Sequence, residues 1–124
     1  MHAERRVERS DNIYEALKLQ LAATARRAGM SALALTERQG LEVAVVGDAA
    51  AVEEIGALAP QLAPGARFWQ GRLPDAAGGA ARLVTVAPVS TGDGPLFLCA
   101  VGGSASEIGP ELIRSGLGVC RILS

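Results

Sequence analysis

Few residues in this chain are equipped for chemistry. The 124 residues include one histidine, His2, set in a charged opening run. A Ser-His-Asp or Cys-His arrangement needs an imidazole held against its nucleophile by a rigid scaffold, which a tail position does not offer. The two cysteines, Cys99 and Cys120, fall short of the four ligands of a tetrahedral zinc site and read as buried small hydrophobes. The one lysine, Lys18, follows Leu17, so no glycine-rich loop ends in the Gly-Lys pair that cradles nucleotide phosphates. Asp48, Asp75 and Asp93 fall at expected caps and turns, where a carboxylate serves backbone donors and not a catalytic pair. Gly102-Gly103-Ser104 precedes a helical stretch and reads as a turn, with a weaker reading as an anion cradle. Arg26, Arg27, Arg67 and Arg72 are candidates for an arginine finger, but arginine replaces lysine almost throughout, so the choice is compositional. No catalytic residue, metal or cofactor is expected; enzymes are not excluded, but most standard catalytic parts are absent.

Composition supports that reading. Hydrophobic residues make up 49 % and charged residues 20 %, the balance of one globular domain. The formal net charge is −1, so no field draws the chain to nucleic acid. No uncharged stretch approaches the ~20 residues of a membrane helix, so no membrane insertion is expected. The start turns polar where a secretion signal turns apolar, which points to a cytoplasmic protein with reduced thiols. Residues 1–9 read as a charged tail, either solvated or extending the first helix, and residues 10–124 as the domain.

The elements that must position any binding surface follow from periodicity. Asn12 with Glu15 has the form of a capping box, and Ile13, Leu17, Leu21, Thr24 and Ala28 then recur at helical spacing up to Gly29. Ser31–Thr36 and Leu41–Val46 are short apolar runs joined by Glu37-Arg38-Gln39-Gly40, a hairpin whose strands are apolar on both faces. Asp48 caps a second helix, with Val52, Ile55, Leu58, Ala59 and Leu62 inward and Glu53, Glu54, Ala57 and Gln61 outward. Pro60 is expected to kink it or end it near Ala59. Arg67–Leu73, Arg82–Val89 and Leu96–Val101 read as strands, with a turn over Ser90–Gly94. In a closing helix Pro110 fits the first turn, and Ile113, Leu117, Cys120 and Leu123 form the packed stripe, with Leu112 and Val119 nearby. The expectation is an α+β fold in the order α-β-β-α-β-β-β-α. Its five-stranded antiparallel sheet carries helices on both faces.

This order, together with Gln39-Gly40-Leu41-Glu42-Val43-Ala44 on the hairpin, the alanine-rich Ala49–Leu62 helix after Asp48 and the closing Gly118-Val119-Cys120-Arg121-Ile122-Leu123, resembles the roadblock / dynein-light-chain family in its bacterial, MglB-like type. The resemblance runs from about Asn12 to Leu123. It implies a sheet with the second helix on one face and the first and last on the other. It also implies a homodimer paired through the second helix and third strand, with Val52, Ile55, Ala59, Phe68 and Trp69 at the contact. Bacterial members regulate small Ras-like GTPases, some as GTPase-activating proteins. Glu53, Glu54, Ala57 and Gln61 would then form the partner-binding face. Phe68 and Trp69 alternate along a strand, so one is expected inward and one outward, and tryptophan is favoured at interface hot spots.

Two other functions fit the same elements. A small-molecule sensor of the GAF or PAS kind also sets helices on a five-stranded antiparallel sheet, but aromatic residues are only 3 % of the chain, a thin supply for a specific pocket. A scaffold subunit without effect on any GTPase is the other.

Overall fold

The computed structural model describes residues 2–48, 50, 51, 55, 59, 61–63, 65, 67–74, 79–92 and 94–123, with side chains from position 12 onward. The chain forms α1 (His2–Ala28), β1 (Met30–Glu37), β2 (Glu42–Gly47), β3 (Trp69–Leu73), β4 (Arg82–Thr91), β5 (Gly94–Gly102) and α3 (Ala105–Leu123). Between β2 and β3, positions 50, 51, 55, 59, 61 and 62 are helical and are labelled α2. The strands form one antiparallel sheet in the order β2-β1-β5-β4-β3. The expected element order and fold class are those observed.

Alternation along each strand divides the apolar residues between two cores. Leu33, Leu35, Leu98, Ala100 and Val89 face α1 and α3, which contribute Leu17, Leu21, Ile108, Leu112 and Val119. Ala32, Ala34, Val84, Val86, Cys99 and Val101 face α2, which contributes Ala51, Ile55 and Ala59. Each fully buried leucine contributes ~1.5–3 kcal/mol, so the first core outweighs the ~1 kcal/mol that each glycine costs α3. A side chain at Gly118 would meet the amide end of Gln20 on α1, a flexible side chain that can swing aside. Arg27 Nε donates to Glu111 Oε2 at 2.9 Å and ties the same two helices at their rim.

Several boundaries differ from the sequence reading. The first helix passes straight through Asn12 and begins at His2, so Asn12 is not its cap and residues 2–9 are helical. Glu, Arg and Ala dominate that run, all good helix formers, and nothing in it breaks the pattern. The first helix does stop at Gly29, whose φ of 67° is the left-handed region that suits glycine. Ala63 N–H donates to Ala59 O at 3.0 Å, and Gln61 and Leu62 are helical, so α2 does not end near Ala59. The β4–β5 turn is tighter than expected, because Thr91 still pairs with Gly94. Pro110 lies in the second turn of α3, since that helix starts at Ala105.

On α3 the buried face is shifted from the expected one; on α2 Ile55 and Ala59 are buried as the inward stripe predicts, and Val52 and Leu58 lie outside the described residues. On α2 the buried stripe is Ala51, Ile55 and Ala59, continued by Ala63, spaced by four. Mostly small side chains bring this helix close to the sheet. On α3 the buried stripe is Ile108, Leu112, Ser115 and Val119; of the expected stripe Cys120 is partly buried against that core, whereas Ile113, Leu117 and Leu123 are exposed. Ile113 is 70 % and Leu117 63 % exposed. The hydrophobic pattern of α3 continues around more than one face, so periodicity alone could not choose which side meets the sheet.

Candidate interaction surface

β3 lies at one end of the sheet, so the far side of this strand carries no neighbouring strand among the described residues. Its residues alternate between two environments. Trp69 and Leu73 pack at the edge of the α2-side core. Gln70 and Arg72 are exposed on the other side, because α1 and α3 do not reach this far across the sheet. Phe68, one residue before the strand, shares the exposed side and is 54 % exposed. The expected division of the two aromatics, one in and one out, is what the strand shows.

Trp69 has a local reason for its position. Its indole lies over Gly71, two residues on along the same face. A side chain at Gly71 would come within 2.7 Å of the ring. The glycine therefore makes room for the ring to cover the edge strand. Gln70 Nε2 donates to Thr85 Oγ1 at 3.1 Å, and this pins β3 to β4 from the opposite face.

The uncovered face between α3 and β4 is a groove of about 700 Å³. Phe68, Ala87 and Val89 form one wall; Ile113 and Leu117 form the other rim, with Leu112 at depth. Sequence reasoning misses it because the spacing of Ile113 and Leu117 assigns them to the core stripe. The doubled apolar pattern on α3 is the available signal.

Of the residues expected at a pairing surface, Phe68 and Trp69 lie together at the sheet edge. Ile55 and Ala59 are buried in the chain's own core against the sheet, at 3 % and 0 % exposure, so their side chains are already occupied there. Val52 lies outside the described residues. Of the expected partner-binding residues, Gln61 is exposed; Glu53, Glu54 and Ala57 lie outside the described residues. Asp48 does act as a cap, accepting from Ala51 N–H at 3.4 Å.

The thiols are structural. Cys99 is buried in the α2-side core beside Thr36 Oγ1, at 3.9 Å, and burial pushes its pKa up to about 11. Cys120 sits on the opposite side of the sheet and donates to Ser90 O at 3.2 Å. Both are free, and the sheet separates them. Among the described residues no group of three or more His, Cys, Asp or Glu side chains could hold a metal ion, and no helix is long and apolar enough to cross a membrane.

No family sequence model matches the chain, and no curated protein matches it in sequence. Solved structures do match in shape. MglB from Thermus thermophilus, a gliding protein, superposes with a TM-score of 0.64 at 18 % identity over 89 % of this chain and 90 % of its own. An MglB structure with a tetrameric arrangement gives a TM-score of 0.66 at 17 % identity over 89 % of each chain. The Roadblock/LC7 domain from Streptomyces avermitilis gives 0.64 at 20 % identity over 86 % of this chain and 96 % of its own. The superpositions cover most of each chain, and what they share is the fold: the chain has the roadblock/LC7 fold also seen in these MglB structures.

Proposed function

We propose that this chain is a homodimeric interaction module that binds and regulates a small Ras-like GTPase in the cytoplasm, by activating or by tethering it. The observation that carries the reading is the near-complete superposition on MglB structures, one of them a tetrameric arrangement. An edge strand with open backbone groups and adjacent aromatics supports self-pairing, since such an edge is otherwise an aggregation hazard. Two copies joined at β3 would extend the sheet and bring their α2 helices together. Glu53, Glu54, Ala57 and Gln61 would then face the partner.

The test is phosphate release by the Ras-like GTPase encoded beside this gene, with and without the purified chain. Faster release supports activation. Co-elution of the two proteins with unchanged release supports tethering alone. Neither co-elution nor a change in release sinks the reading. A melting temperature raised by a small molecule in place of the GTPase would favour the sensor function.

A further inference from the structure

Inside the groove between α3 and β4 the chemistry is that of hydrocarbon. None of its lining residues is charged, and the Cys120 thiol is turned to Ser90 O at 3.2 Å. From Gly109 to Cys120 the groove follows α3 for ~16 Å, at 1.5 Å per helical residue. Its outer wall, Phe68, leads into the strand next to β4, and neighbouring strands lie only ~4.8 Å apart. A helix is ~10 Å across and does not enter so narrow a slot, whereas a single extended hydrocarbon chain does. The volume of about 700 Å³ falls among small-molecule pockets, which run to ~300–1,000 Å³.

Packing gives the slot a direction. Cys120 meets Ser90, and a side chain at Gly116 would come within 3.6 Å of Val89 Cγ2, so α3 runs the same way as β4. β3 runs the opposite way, with Trp69 opposite Val86 and Arg72 opposite Leu83. The Gly109 end of the slot therefore points along the sheet towards Gln70 and Arg72. A side chain at Gly109 would meet nothing within 4 Å, so this end is open.

Charge at the open end is of one sign. Phe68, Gln70 and Arg72 alternate onto the α3 side of the sheet, and all three are exposed there. Neither β3 nor β4 contains an acidic residue. On α3, helical spacing turns Glu107 and Glu111 to the side away from Gly109 and Gly116, and Glu111 is paired with Arg27 of α1. An apolar slot that leads to an arginine complements an apolar chain that ends in an anion.

We propose that this groove binds a long-chain fatty acid, with the tail between α3 and Phe68, its tip near Cys120 and its carboxylate at Arg72. Pairing at β3 uses the backbone edge of the strand and leaves its α3-side face open, so the site rests on neither the pairing nor the GTPase reading.

The experiment is titration calorimetry of the full chain with dodecanoate and with dodecanol, both held below the concentration at which they aggregate. Saturable binding of one dodecanoate per chain is expected. Ile113→Asp changes an exposed position and keeps the core; the charge it sets in the apolar wall is expected to weaken both ligands at least about tenfold. Arg72→Glu is expected to weaken dodecanoate about fivefold and leave dodecanol unchanged. Unchanged circular dichroism shows that each variant is folded. Absence of dodecanoate binding, or binding that survives Ile113→Asp, overturns the proposal. Equal effects of Arg72→Glu on both ligands overturn the placement of the carboxylate. Sedimentation of the chain with phosphatidylglycerol vesicles, without saturable binding of dodecanoate, makes the groove a membrane contact and also overturns it. Phosphate release and molar mass, measured without fatty acid, report separately on the GTPase reading and on pairing.

Discussion

Cys99 and Cys120 show how position decides the chemistry of a single side chain. The sequence reading makes both buried small hydrophobes. Cys99 is one, and burial lifts its thiol pKa from 9.0 to about 11, because the thiolate loses its solvation. The folded state therefore favours the protonated thiol. Its stabilising effect is fully present below pH 9 and is lost as the pH rises towards 11, by about 2–3 kcal/mol in all. Urea melts across that range should show the loss, and Cys99→Ala should remove that part of the slope. At neutral pH a thiol-alkylating reagent should label Cys120 and spare Cys99, as peptide mass spectrometry would show. Gly71 makes the same point for a residue without a side chain. Gly71→Ala is expected to lift the indole of Trp69 off the edge strand and shift its emission to the red. Trp69 is the only tryptophan, so its fluorescence reads that site alone.

At the scale of elements, α2 and α3 turn on which face meets the sheet. Ile55, which the stripe of α2 places inward and the family resemblance places at a pairing surface, fills the core between α2 and the sheet. Ile55→Ala should therefore cost ~2–5 kcal/mol, measured as a lower urea midpoint, whereas Gln61→Ala should cost under ~0.5 kcal/mol. An equal, small effect from both would return Ile55 to the surface. At the β2–α2 junction Gly47 has φ 86°, and a side chain there would collide with the backbone of Ser31 and Ala32. Gly47→Ala is expected to cost ~1–3 kcal/mol by the same measurement, because both conformation and space oppose it. The hairpin, the strand facings and the Gly29 stop are legible in the sequence, since each follows from alternation or from a local turn. The facing of α3 is not, since apolar residues at Ile108, Leu112 and Val119 compete with those at Ile113 and Leu117. Only the packed neighbours choose between them.

For the whole molecule, the proposed partner face and the proposed pairing edge should be separable. Reversing Glu53 and Glu54 to arginine is expected to weaken GTPase co-elution by about tenfold or more while leaving the self-associated mass unchanged, by the arithmetic of one lost favourable charge cluster. Phe68→Asp should reduce self-association and leave the melting temperature within a few degrees, because Phe68 is largely outside the core. If both variants lose mass and partner together, the two surfaces are one.

The amino-acid sequence by itself determined the element order, the two-faced strands and the shortage of catalytic groups. Each of these is a property of local pattern or of residue supply, and none needs a packed neighbour to read. Tertiary structure decided what local pattern left open: that Ile113 and Leu117 face solvent, and that Phe68 stands beside them across an open groove. The physical reason is that a helix with apolar residues on several sides has several acceptable orientations. The choice among them falls to the space left by the other elements. Here α1 takes the place beside α3, and the remaining apolar side of α3 is turned outward beside Phe68.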